Sequence, residues 1–319
     1  MTPEAALRSA SAEALETHMQ RLRTILVGLD FENGQLTQGS TAAARQALWL
    51  AQHTGARVDF MHSAKGGLSA PDLERANEEV EALRAAHGTG VTTSQLIVDD
   101  EVPALSLTRR VLRGEGDLVV IAKRNHGKHD DRKLGSVSIE LVRNCPAPVW
   151  VIKPDHEPVH GSVLAATDLS AVGDRATEYG AFLAAAEQCD LCVVHAWQVP
   201  MELQLEASRL SSEETAARKK EITEAAAAHI RGVNGLDALG DKVELYLPCD
   251  SPDRAILQLA TERNPDLVVM GTVSRGGIAG VIVGNTAEKL LYKLDCSILT
   301  VKPADFACPV SVDSAVEAE

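Results

Sequence analysis

Hydrophobic positions along this 319-residue chain fall into short, nearly continuous apolar runs, each followed by a longer stretch of helical period. Thr24-Ile25-Leu26-Val27-Gly28-Leu29-Asp30 is the first such run, and Ser162-Val163-Leu164-Ala165-Ala166-Thr167-Asp168 repeats its pattern. Runs of this kind, closed by turn formers, predict strands buried on both faces of a parallel sheet. Ala-rich helices are predicted next, over residues 41–53 and 175–188. Residues 58–62 and 191–195 give second strands, each ending in a histidine, His62 and His195. Charged helices follow over 72–86 and 202–231, third strands over 91–98 and 242–247, and further helices over 102–112 and 252–263.

The closing third of the two series keeps strict register. Asp117-Leu118-Val119-Val120 matches Asp266-Leu267-Val268-Val269, Gly135 matches Gly284, and Lys153-Pro154 matches Lys302-Pro303. All three landmarks share an offset of 149, which marks a duplication rather than a coincidence. Each copy reads βαβαβαβαβ, so the fold class is α/β: two tandem, doubly wound, parallel five-stranded sheets of Rossmann-like type. The domains are expected at 21–154 and 160–303, joined by a linker with prolines at 154 and 158. Residues 1–20 form an N-terminal extension. Residues 304–319 lack an apolar period and are expected to be a disordered acidic tail. The last strand of each copy, residues 148–152 and 297–301, would otherwise leave an exposed edge. Pairing the two would bury both edges in an internal pseudo-dimer, which could dimerise further.

Charge and composition narrow the partners. Net charge is -14, and aromatic residues make up 3% of the chain. Such a surface repels nucleic acid and anionic lipid and offers few stacking platforms. Residues 1–155 carry 18 Lys and Arg against 20 Asp and Glu, so the acidity belongs to the second copy and its tail. Without a signal peptide or an apolar run of membrane-spanning length, the expected location is the cytoplasm, where the six cysteines stay reduced. Cys189 and Cys192 make a C-x-x-C that enters a strand rather than a helix N-terminus, so they read as core thiols.

The candidate chemistry lies in residues 270–288, a glycine-rich stretch that leaves a predicted strand and enters a helix at about Asn285. In open α/β sheets ligands gather at the carboxyl ends of strands. Glycines there let backbone N–H groups approach an anion, and a helix N-terminus adds a favourable dipole. Arg275 could add charge, and Asn285 and Thr286 a cap and a donor. The spacing is neither that of a Walker A loop nor that of a dinucleotide fingerprint.

These residues make the chain resemble a tandem member of the universal stress protein family, of the two-domain E type, over residues 21–303. Nucleotide-binding members carry G-x2-G-x9-G-[S/T] after the fourth strand and an Asp closing the first. Asp168, Gly271 and Gly284 match that pattern, while Ser274 replaces the second glycine and Asn285 the final Ser/Thr. The resemblance implies a site for an adenine nucleotide (ATP, ADP or AMP, with Mg as its companion). Ala166, Asp168, Ala196 and Met270 would lie toward the base and ribose, and Gly271, Ser274, Arg275, Gly284, Asn285 and Thr286 toward the phosphates. In the first copy only Asp30, Gly135 and Ser136 survive; Ala122 and Asn125 stand at the first two glycine positions. That copy reads as a degenerate site. Its loop carries Lys123, Arg124, Lys128, Arg132 and Lys133, expected as a solvated basic face. His126 and His129 beside Asp130 and Asp131 have no metal-site spacing.

Three functions follow from this reading: a nucleotide-binding regulatory module in the stress response, a nucleotide-free protein binding another small or apolar ligand, and a slow ATPase. The last would need metal-holding carboxylates near the phosphates, and the loop has none before Glu288.

Overall fold

The computed structural model describes residues 22–123, 134–154, 161–198, 212–272 and 284–312, Ser212 and Asn285 by backbone alone. The first copy runs β1 (Thr24–Gly28), β2 (Phe31–Glu32), β3 (Gln35–Leu36), α1 (Gln38–Thr54), β4 (Arg57–Ser63), α2 (Ala70–His87), β5 (Ile97–Asp99), α3 (Pro103–Leu112), β6 (Leu118–Ala122), α4 (Ser136–Asn144) and β7 (Val149–Ile152). The second runs β8 (Ser162–Ala166), α5 (Ala171–Glu187), β9 (Asp190–Val194), α6 (Ser212–Arg231), α7 (Leu236–Leu239), β10 (Val243–Tyr246), α8 (Pro252–Arg263), β11 (Leu267–Gly271), α9 (Asn285–Lys293) and β12 (Ser297–Val301).

Ten of these strands form one sheet, in the order β10-β9-β8-β11-β12-β7-β6-β1-β4-β5. Within this sheet the strands of each copy pair in parallel, and the strand order is that of a doubly wound fold. The one antiparallel pairing in this sheet joins the copies: Ile298 faces Val151, Leu299 faces Trp150 and Thr300 faces Val149. The pairing of the last strands is therefore as the sequence suggested, and two predicted sheets become one continuous sheet.

Alternation along the strands explains the double covering. Ile25 and Val27 enter one core with Leu48 of α1 and Leu183 of α5, while Leu26 enters the opposite core with Leu107 of α3 and Leu141 of α4. The same split holds at the junction, where Trp150 and Leu299 share the first core and Val151 and Ile298 the second. Each core thus contains residues of both copies.

The duplicated sequence landmarks are structural fasteners. Asp117 accepts the amide N–H groups of Arg23 and Thr24, both at 2.9 Å, and Asp266 accepts those of Gly161 at 2.7 Å and Ser162 at 3.1 Å. Each carboxylate ties the start of the central strand to its neighbour. Lys153 and Lys302 cross between copies: Lys153 Nζ donates to Asp295 O at 3.2 Å and Lys302 Nζ to Arg143 O at 3.0 Å.

Several findings differ from the sequence reading, among them the third strand of the first copy, expected over 91–98 and observed at Ile97–Asp99. A hairpin, β2–β3, stands between β1 and α1 and has no counterpart between β8 and α5. Lys123, expected on a solvated basic loop, is buried, and its Nζ donates to Leu294 O of the second copy at 3.4 Å. The other basic residues of that loop, with His126, His129, Asp130 and Asp131, lie outside the described residues. The tail, expected to be without order, lies against the first copy in its described part. Cys308 Sγ donates to Asn144 O at 3.1 Å, Arg109 Nε donates to Ser311 O at 3.3 Å, and the Lys302 ammonium sits 4.4 Å over the Phe306 ring.

Candidate functional site

Each half of the sheet reverses its strand order between its first and fourth strands, and there the helices depart to opposite faces. This leaves a crevice at the carboxyl ends of β8 and β11, and another at those of β1 and β6.

In the second copy, Met270 is paired with Ala166, and Ala166 with Val194, so the strand ends bring together Ala166, Met270 and the backbone leading to His195 and Ala196. Beyond Ala166 the chain turns sharply. Leu169 adopts φ +60°, and its N–H donates to Thr167 Oγ1 at 3.0 Å. Ser170 caps α5 by accepting the Gly173 N–H at 3.3 Å. Its own N–H donates to Asp168 Oδ1 at 3.1 Å, and its hydroxyl donates to the same oxygen. Asp168 is exposed yet fixed in orientation. The turn tolerates no side chain at position 173: a Cβ there would lie 2.5 Å from Thr167 Oγ1 and 2.8 Å from Asp168 Oδ1.

Gly271 closes β11 with ordinary φ, and its need is space rather than handedness. A Cβ would come within 3.2 Å of Val172 at the start of α5. Thr272 O then accepts the Gly284 N–H at 2.7 Å, tying together the two ends of the loop between them. Gly284 is the N-cap of α9 and supplies no side-chain acceptor for the first amides of that helix. Ser274 and Arg275 lie outside the described residues, as does the Asn285 side chain. Thr286 is in the first turn of α9.

His195 and His62 occupy the same place in the two copies. His195 Nδ1 is 3.0 Å from Thr167 O, and His62 Nδ1 is 3.0 Å from Leu29 O. A carbonyl only accepts, so each ring donates from Nδ1 and fixes the turn before the strand-ending Asp. The two rings are structural latches.

In the first copy Asp30, Gly135 and their neighbours line a cavity of about 820 Å³ at the ends of β1, β4 and β6. Glu32, Gln35 and Leu36 of the hairpin form part of its wall. The hairpin turn, Asn33-Gly34, has φ of 53° and 81°, the geometry of a two-residue turn matched to strand twist. Asp30 accepts the Phe31 N–H at 3.1 Å, and its own N–H donates to Ser40 Oγ at 2.7 Å. Ser136 opens α4, with Gly135 as N-cap and no side-chain cap bond. The residue that sequence reasoning passed over here is Ser63. It ends β4, lines the cavity, is 7% exposed, and its Oγ has no hydrogen-bond partner among the described residues. Its counterpart in the second copy is Ala196.

Cys189 and Cys192 are buried thiols. Burial pushes Cys189 and Cys192 up to about 11, which is opposite to the shift a redox pair needs. Among the described residues no group of His, Cys, Asp and Glu is placed to hold a metal ion, and no helix is long and apolar enough to cross a membrane.

Known proteins place the chain. It is 27% identical to universal stress protein E of Photorhabdus laumondii over 307 residues, covering 86% of this chain and 94% of that one. Against universal stress protein E of Escherichia coli it is 27% identical over 305 residues, with the same coverage. Among solved structures, PA1789 of Pseudomonas aeruginosa, described as functionally unknown, superposes with a TM-score of 0.70 at 22% identity, over 91% of this chain and 95% of that one. A universal stress protein from Archaeoglobus fulgidus superposes with a TM-score of 0.57 at 18% identity, over 88% and 98%. The Universal stress protein family profile matches twice, over residues 21–153 and 161–302. The chain therefore belongs to the universal stress protein family and carries two domains of that family in tandem.

Proposed function

We propose that the second domain binds an adenine nucleotide and that the protein is a regulatory binding module of the cytoplasmic stress response. The observation that carries this reading is the Asp168 turn. A carboxylate oriented by Ser170 stands at the strand-order switch point, across from a loop whose ends are tied by the Gly284–Thr272 bond. A carboxylate in that place is suited to ribose or base hydrogen-bond donors. The amides at the start of α9, with no side-chain acceptor at the N-cap, suit phosphate oxygens. Gly271 lets the start of α5 pack close to the strand end, and the strand ends at Met270, Ala166 and Ala196 would form the surface on which a base rests. Ser274, Arg275, Asn285 and Thr286 would complete the phosphate side, with Mg accompanying the phosphates.

The test is equilibrium binding of labelled ATP, ADP and AMP to the wild type and to Gly284→Trp, which fills the loop base. Saturable wild-type binding that is lost in Gly284→Trp is the expected result. No saturable wild-type binding at millimolar nucleotide would sink the reading.

A further inference from the structure

Helix α9 presents the amides that the proposed nucleotide would meet, yet its other end is held by the first domain. Lys123 follows directly on β6, and its N–H donates to Ile152 O of β7 at 2.8 Å. Its side chain is buried, 4% exposed, and crosses the seam to donate to Leu294 O, the carbonyl at the C-cap of α9. Lys153, the residue after β7, donates to the next carbonyl, Asp295 O, at 3.2 Å and pairs with the Asp295 carboxylate at 3.3 Å. Arg143 of α4 meets Glu288, in the first turn of α9, at 2.9 Å. Among the described residues, three first-domain cations thus touch one short helix of the second domain or the residues that end it.

These contacts differ in weight. Arg143 and Glu288 are both exposed, and an exposed ion pair holds a helix weakly. Lys153 pairs with an exposed carboxylate. Lys123 is buried, and a charge withdrawn from water depends on the oxygens it faces. Cations at the C-terminal end also complement the dipole of the helix, whose positive end lies at the first amides. At a rise of about 1.5 Å per residue, α9 is a rod of roughly 13 Å, so fixing one end directs the other.

The buried part of this hold is one-sided. At the offset of 149 the counterpart of Lys123 is Thr272, whose hydroxyl donates to Val301 O of its own domain at 3.4 Å. The second domain holds α4 through Lys302 and Arg143 O instead.

We infer that Lys123, with Lys153 beside it, is a positioning residue of the second domain's nucleotide site. From the first domain it fixes the C-terminal end of α9 and so aims the first amides of that helix at the phosphates. The domain whose loop has lost two of three glycines thereby takes part in binding at the other. This rests on the nucleotide reading given above.

The test uses the full-length wild type, Lys123→Met and Lys153→Met; Met keeps an apolar stem and removes the ammonium. Hydrogen exchange of the ligand-free proteins reads α9 directly. Residues 285–294 should exchange about threefold faster or more in Lys123→Met, with residues 136–144 at the wild-type rate. ATP affinity, taken from the binding that Gly284→Trp abolishes, should fall about three- to tenfold in Lys123→Met and less in Lys153→Met. Adenosine, which carries no phosphate, should compete for that site within about twofold of its wild-type strength, a pattern that general loosening would not give. Wild-type exchange of residues 285–294 in both variants, unchanged ATP affinity in both, or equal losses for ATP and adenosine would overturn the inference. Should Lys123→Met fail to fold, Lys153→Met carries the same test from a less buried position. A wild type that binds no ATP sinks the nucleotide reading itself, so the two ideas fail on different results.

Discussion

At the scale of single residues, this protein uses close approach more than unusual backbone. Gly173 lets the start of α5 touch the Asp168 turn, and Ala at that position would press on Thr167 Oγ1 and Asp168 Oδ1. Gly173→Ala should cost about 1–3 kcal/mol in urea unfolding. It should also weaken nucleotide binding by the second domain, because the carboxylate is displaced rather than removed. Lys302 offers a prediction in pH. Burial pushes its ammonium down from 10.5 to about 8. Below pH 8 both folded and unfolded chains carry the charge, and the folded state bears the full burial cost. As pH rises from 8 toward 10.5 the folded chain releases its proton first, so the Lys302 contribution to stability rises with pH. Lys302→Met should therefore be more stable than wild type at pH 7, by up to an amount on the order of 2–3 kcal/mol, and that advantage should fade by pH 10. Unfolding free energies of the two proteins at several pH values check this. A constant difference would mean that the lost bond to Arg143 O and the contact with Phe306 dominate instead.

At the scale of elements, most strands and helices were legible from periodicity alone. Residues buried on both faces leave continuous apolar runs, and the predicted helices differ from the observed ones chiefly at their ends. Helix α1 begins three residues earlier than its apolar period, because Thr37 accepts the Ser40 N–H as its cap. The hairpin was missed because two-residue strands have no periodicity to read. Its signal was the Asn33-Gly34 pair, which supplies two residues able to take positive φ. The hairpin turn rests on α2, where a Cβ on Gly34 would lie 2.8 Å from Asp72 O. Gly34→Ala combines that clash with φ +81° and should cost about 1–3 kcal/mol. ATP binding by the second domain should stay at the wild-type value, since the hairpin rests on α2 and lines the first domain's cavity. Chemical denaturation and nucleotide titration of the one variant test both halves of the statement.

At the scale of the whole molecule, the two domains share one sheet and two cores, so they are expected to unfold together. Separate transitions would require a core that divides at the β7–β12 seam, and residues of both copies fill each core. The first domain alone, residues 21–154, would expose β7 as an apolar edge. That fragment should self-associate through β7, which sedimentation would detect. Substituting Pro for Val151, which faces Ile298 across the seam, should return the fragment to a monomer or unfold it. The net charge of -14 disfavours wide anionic surfaces as partners but does not decide what enters a crevice, where a few fixed groups act at short range.

The duplicated α/β architecture, the parallel strand order within each copy, the closing of two edges against each other and the family were set by the sequence, because burial on both faces and a repeat at one offset are properties of the chain itself. The strand-ending Asp30 and Asp168 were equally visible. Tertiary structure decided what no local pattern holds. The fixed orientation of Asp168 depends on Ser170 and on the space left by Gly173. Lys123 is drawn out of the expected solvated face by a carbonyl 171 residues away. The domain with the poorer loop keeps an ample cavity, because its walls come from a hairpin, a strand end and a helix start that meet only when the sheet is built. Ser63 is an ordinary serine in the sequence, and only the packing around it leaves it a buried hydroxyl with no partner among the described residues.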